Sequence, residues 1–153
     1  MALPEDVAQS LALEWRGLRH SLGRVRGHYT ASFAGGGVFL PQISNEIYAL
    51  FLPFGYSVLE HVLQQFREQN NFESKSTMLN SLMVASKDKI PWQNYDAIET
   101  GRLLRNALVH NREVPPVART METLDSIEHE LIGWGILQGP VEYNFTISRT
   151  PTN

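Results

Sequence analysis

The sequence predicts an all-α fold, a bundle of about five helices with one short C-terminal β-strand. Three observations carry this expectation. Apolar residues recur three and four apart over several long stretches, the period of an amphipathic helix. Segments rich in Gly and Pro separate those stretches, and such residues end helices. Only the tail changes period: Val141, Tyr143, Phe145 and Ile147 alternate with Glu142, Asn144, Thr146 and Ser148, as along a strand.

The simplest organisation of 153 residues is one domain, 1–153, long enough for a sizeable core. A chain with 42% hydrophobic residues belongs with globular proteins and not with disordered ones. The formal net charge is −3, so no global basic field announces nucleic acid, and any such contact must be local. The absence of cysteine excludes disulfides, thiolate metal sites and cysteine nucleophiles, and fits a reducing cytoplasm. The N-terminus lacks a signal-peptide pattern. No apolar run reaches membrane-spanning length, because the longest, around Ile47 to Val58, is interrupted by Tyr48, Pro53 and Tyr56. A cytoplasmic protein without a membrane partner is expected.

The first helix begins near Pro4, with Glu5 and Asp6 in the turn where the helix dipole favours acids. Leu11, Trp15, Leu18, Leu22, Val25 and Tyr29 form a seam able to pack along a whole neighbouring helix. Arg16, Arg19, His20, Arg24, Arg26 and His28 occupy the other faces. They read as a solvated helix face or as a local phosphate-binding surface. Gly17, Gly23 and Gly27 either allow close backbone approach or end the helix early. Residues 30–42, with Gly35, Gly36 and Gly37, read as a plain loop, since the Lys-Ser/Thr of a phosphate-binding loop is missing.

A second helix spans about Ser44 to Gln69, with Ile47, Phe51, Phe54, Val58, Val62 and Phe66 as its apolar stripe. Pro53 should kink or divide it. Glu60 and His61 are adjacent, so they point about 100° apart and form no dyad together. Glu60 is instead expected to accept from a buried donor, with Arg105 a candidate. Ser74 or Ser76 can cap a short third helix carrying Met78, Leu79, Leu82 and Met83, which Pro91 stops. Asn94 or Asp96 caps the fourth. A last helix runs from about Ala118 to Leu131, its stripe made of Met121, Leu124, Ile127 and Leu131, with Gly133 and Gly135 weakening its end. The tail strand needs a partner. Val38 to Leu40 is one option and a second subunit's tail is another.

The fourth helix, Tyr95 to Asn111, holds the candidate site. It is apolar around most of its circumference, with Ile98, Leu104, Leu108 and Val109 on one arc and Leu103 and Ala107 on another. Such a helix should be largely buried. Glu99, Arg102, Asn106 and His110 fall at spacings of three, four and four and make one narrow polar strip. Arg105 leaves the backbone on the apolar side. The bland reading is a solvated edge, with Arg105 snorkelling to water.

The stretch R-N-A-L-V-H-N, Arg105 to Asn111, resembles the signature of the HEPN superfamily of helical domains: an Arg, four to six residues, then a His, often with a polar residue after the Arg. Pro53 to Phe66 is similar to the long helix preceding that motif, and Ile90, Pro91 and Trp92 resemble the approach to it. The resemblance spans roughly 43–137 and leaves 138–153 as a C-terminal tail. It implies a HEPN-like bundle and a homodimer in which two motifs face each other. Arg105, His110 and Asn106 would be the catalytic residues, and Arg102, Asn111 and Arg112 possible substrate contacts. It also implies RNA as substrate, no cofactor or metal, and a bacterial toxin or defence effector with a cognate antitoxin or regulatory protein. Where one subgroup has a Tyr two residues after the His, this chain has Arg112.

The residues suit that chemistry on their own terms. The five His are scattered and no H-x-x-x-H occurs, so no metal-ligand spacing is present. RNA cleavage by its own 2′-hydroxyl needs only proton transfers, which imidazoles perform near neutral pH. It also needs a fixed positive charge for the developing phosphorane, which guanidinium supplies. Two readings from other classes stand beside it: a non-catalytic HEPN-like binding or dimerisation module, and a nucleic-acid-binding regulator using the basic first helix.

Overall fold

The computed structural model describes residues 1–34 and 41–141, and for 28–34 and 41–44 the backbone alone. Within them the chain is all-helical, with six helices: α1 (Glu5–Ala34), α2 (Pro41–Ala49), α3 (Phe51–Glu68), α4 (Leu79–Ser86), α5 (Tyr95–Asn111) and α6 (Val117–Gly133). The expected strand over Val141 to Ser148 and its partner at Val38 to Leu40 fall almost wholly outside the described residues, and Val141 itself is not in a strand. The triple-Gly segment lies outside them too. Helix occupies both ends of the loop expected over 30–42, since α1 runs to Ala34 and α2 begins at Pro41. No helix among the described residues is long and apolar enough to cross a membrane.

The hub is α3, which touches every other helix of the bundle. Its second-helix precursor is divided as expected, but at Leu50 and not at Pro53. The proline occupies the first turn of α3, where a missing N–H costs nothing, so the break moves one turn upstream. The buried face of α3 is Leu52, Tyr56, Leu59, Val62, Leu63 and Phe66. Phe54, placed in the apolar stripe by periodicity, is 65% exposed while Val58, Val62 and Phe66 are buried; a spacing of four drifts about 40° per step, so the stripe's early end turns off the buried face.

The α1 seam packs along α3, and Leu11, Trp15, Leu18 and Leu22 are buried there. That use removes it from any dimer contact. Gly17 serves no close approach, since nothing lies within 4 Å of where its Cβ would stand. Nor does it end the helix, which continues for four more turns beyond it. Arg19 corrects the picture of a solvated or phosphate-binding face. It is 4% exposed, its Nε donates to Glu128 Oε2 at 2.8 Å, and its Nη2 is bonded to Asp125. Trp15 Nε1 donates to the same Glu128 oxygen at 2.6 Å, and the Val141 N–H donates to Oε1 at 3.1 Å.

In the third predicted helix Leu82 and Met83 are fully buried, whereas Met78 precedes α4 and is exposed. Its N-terminus is not capped by Ser74 or Ser76. Glu60 reaches across from α3 and accepts from the Leu79 N–H at 3.0 Å. The buried-donor role foreseen for Glu60 is thus filled by a backbone group and not by Arg105. The last helix keeps its stripe, with Leu124, Ile127 and Leu131 fully buried and Met121 partly so.

Close approach matters most where α5 crosses α3 and α6. A Cβ at Gly101 would stand 2.3 Å from the Tyr56 hydroxyl and 2.4 Å from Thr123 Cγ2. Both neighbours are buried and fixed, so nothing there can yield cheaply. Gly101→Ala is therefore expected to destabilise the fold by about 1–3 kcal/mol, read as a lowered urea midpoint with unchanged m-value.

Candidate functional site

The first turns of α5 are held tightly. The Glu130 carboxylate, fully buried on α6, accepts from the Gln93 N–H at 2.9 and 3.1 Å and from the Asn94 N–H at 2.6 Å. Asn94 caps the helix as expected, its side-chain oxygen accepting from the Ala97 N–H at 3.2 Å. A carboxylate here also meets the positive end of the α5 dipole. Below it Trp92 and Trp134 meet edge to face at 4.9 Å, and Trp134 Nε1 donates to the Pro91 carbonyl at 3.2 Å. One turn further on, the Tyr56 hydroxyl donates to the Ile98 carbonyl at 2.7 Å. Burial there holds the Tyr56 phenol far above its ordinary range, so it stays a donor.

Beyond Gly101 the helix is only half-covered among the described residues, with Leu108 still packed against the core. The expectation that α5 is largely buried fails, for only Ile98 and Gly101 are buried. Leu103 is 55% exposed and Val109 48% exposed. The reason is geometric: α6 and α3 cover the first half of α5, and among the described residues no element packs fully over the second. At about 100° per residue, Leu103 and Val109 flank the strip of Arg102, Asn106 and His110 on either side.

The candidate residues are placed as follows. Arg102 grips Glu99 with a fork, Nε to Oε2 at 2.8 Å and Nη2 to Oε1 at 2.6 Å. These bonds hold the Glu99 carboxyl below its ordinary value. Arg105 Nη1 donates to Asn106 Oδ1 at 3.0 Å, while its Nε is buried without a partner among the described residues. His110 is exposed in the last turn. Asn111 Nδ2 donates to Glu113 Oε1 at 3.3 Å. Arg112 is exposed and caps the helix in the left-handed region, φ 57°. Its N–H meets the Leu108 carbonyl and the next N–H meets Ala107.

The structure joins Arg105 to Asn106, sets His110 one turn beyond on the same strip, and ties Arg102 to Glu99. Four cavities outlined by described residues lie between α1 and α3, between α5 and α6, and beside the turn after α3; none is lined by Arg105, Asn106 or His110. His61 pairs with Glu14 at 3.1 Å across the α1–α3 cleft, both partly exposed. Among the described residues no three His, Asp or Glu side chains gather as a metal ion needs.

Tyr56, Gly101 and Glu130 position the motif helix and were missed as site-building residues. A signal existed for Glu130: an acid three residues after Ile127 and four before Trp134 sits among core positions, where only a partnered carboxylate belongs. No family model, characterised protein or solved structure matches this chain.

Two outcomes are expected from this geometry. Glu99 has a depressed folded value, so its pairing stabilises the protein above the unfolded carboxylate range and that contribution is lost as pH falls through the folded value. Glu99→Gln should cost about 0.5 kcal/mol at neutral pH, and the gap from the parent protein should close below about pH 4 in denaturant titrations. At Arg112 the left-handed cap suits glycine better. Arg112→Gly should raise stability by about 1 kcal/mol in the same assay, and a loss of RNA affinity in that stabilised variant would mark Arg112 as a substrate contact.

Proposed function

We propose that the chain is a HEPN-like, metal-independent endoribonuclease whose active site is completed by a second copy. The observation that supports this best is the second half of α5, which among the described residues is only partly covered. Its polar strip carries an Arg105–Asn106 unit and an exposed His110, flanked by the exposed Leu103 and Val109. Flanking apolar residues suit a subunit contact, and the strip between them suits a shared phosphate site.

In this mechanism one imidazole removes the 2′-hydroxyl proton, and the 2′ oxygen attacks the adjacent phosphorus. The imidazole of the partner copy protonates the departing 5′ oxygen. The two Arg105 guanidinium groups stabilise the charge on the phosphoryl oxygens. The products are a 2′,3′-cyclic phosphate and a free 5′-hydroxyl, so protons and charge balance without a metal. A toxin or defence effector restrained by an antitoxin is the setting that the resemblance implies.

The same exposed Leu103 and Val109 also favour a second reading, a non-catalytic dimerisation module in which His110 and Asn106 are interface groups. The regulator reading loses one of its cations, since Arg19 is committed to Glu128 and Asp125. Cleavage separates these alternatives. Purified protein incubated with total RNA in EDTA should cut it and leave cyclic phosphate ends. His110→Ala should reduce the rate by about a hundredfold to ten-thousandfold. Undiminished cutting by that variant would refute the site, and intact RNA beside a stable dimer would favour the module.

A further inference from the structure

We infer that Asn106 is a positioning residue that acts through Arg105, drawing its guanidinium around the helix to the face that carries His110. The inference rests on the ribonuclease reading above. Residues 105 and 106 leave the helix about 100° apart. The Arg105 backbone position falls between Ile98 and Gly101, about 60° from Arg102 and about 140° from His110. Helix geometry alone gives its long side chain no reason to turn toward His110. The bond from Nη1 to Asn106 Oδ1, 3.0 Å long, supplies that reason. Asn106 lies four residues before His110 and stacks on the same face, so a guanidinium held to Asn106 is held on His110's side.

The chemistry of the pair sharpens the role. Arginine only donates, so the Asn106 oxygen must face it and the amide nitrogen must face away. The Arg105 Nε edge is buried. The donors left to meet a phosphate are therefore those of the two Nη atoms. An amide oxygen orients the guanidinium without cancelling its charge, whereas a carboxylate at position 106 would oppose the stabilisation that a phosphorane needs. Among the described residues no hydrogen bond joins Asn106 to the His110 ring, so an orienting role for Asn106 on the imidazole has no contact behind it.

The test is a double-variant cycle on RNA cleavage, with thermal melting to confirm folding of each variant. Asn106→Ala should lower kcat by about tenfold to a hundredfold with KM nearly unchanged. In an Arg105→Ala background the same change should cost nothing further. Nitrogen NMR of the parent protein should show restrained rotation of the Arg105 guanidinium, lost in Asn106→Ala. Effects that multiply in the double variant, or free rotation of Arg105 in the parent protein, would overturn this role alone. A parent protein that cuts no RNA overturns the nuclease reading and this role with it.

Discussion

Everything at the candidate site depends on one buried carboxylate. Glu130 gathers the backbone N–H groups of Gln93 and Asn94 at the start of α5, and its own carboxylate is fully buried. Leaving that carboxylate without these donors would cost about 1–3 kcal/mol or more. The tie fixes where α5 begins, and Tyr56 and Gly101 fix its angle against α3 and α6. From Tyr95 to His110 the helix rises about 22 Å. Over that length a few degrees of tilt displaces the imidazole by more than an ångström, so the far anchor governs the geometry of the motif.

Two other glutamates act in the same way. Glu60 holds the first N–H of α4, and Glu128 holds the Val141 N–H together with Trp15 and Arg19. Each is a side chain on one helix satisfying backbone or side-chain donors of another segment. A buried carboxylate is costly unless its oxygens are engaged, and Glu128 and Glu130, the two that are buried, each take two or more donors. The bundle is therefore fixed by directional contacts as well as by its apolar seams. Such contacts select one crossing geometry where apolar packing alone tolerates several.

Much of the fold was legible because its periodicities are long. The α1 seam from Leu11 to Leu22 and the α6 stripe from Leu124 to Leu131 appear at their expected faces. Two things were not legible. The start of α3 depended on where a proline-bearing helix divides, and the drift of a spacing of four left Phe54 outside the buried face that holds Val58, Val62 and Phe66. The roles of Arg19, Glu128 and Glu130 depended on partners 13 to 113 residues away in sequence, which no local period encodes, although each charge falls among apolar positions. The site itself was half legible. Spacing put Asn106 and His110 on one face but put Arg105 elsewhere, and the side-chain bond to Asn106 is what ties it to a residue of that face.

The exposure of α5 then links assembly to chemistry. Leu103 and Val109 are about half exposed, so covering them would add roughly 1 kcal/mol for each, a modest drive toward a covering surface. On the ribonuclease reading that surface is another copy of the same helix. Pairing the two strips brings two Arg105 guanidinium groups and two His110 rings toward one axis, and like charges so placed repel. An anion between them removes the repulsion, and a phosphodiester is such an anion. The apolar flanks thus favour association while the strip opposes it until substrate arrives. Binding of RNA and closure of the dimer become one coupled equilibrium, in which the strip that holds the phosphate also sets the strength of the contact.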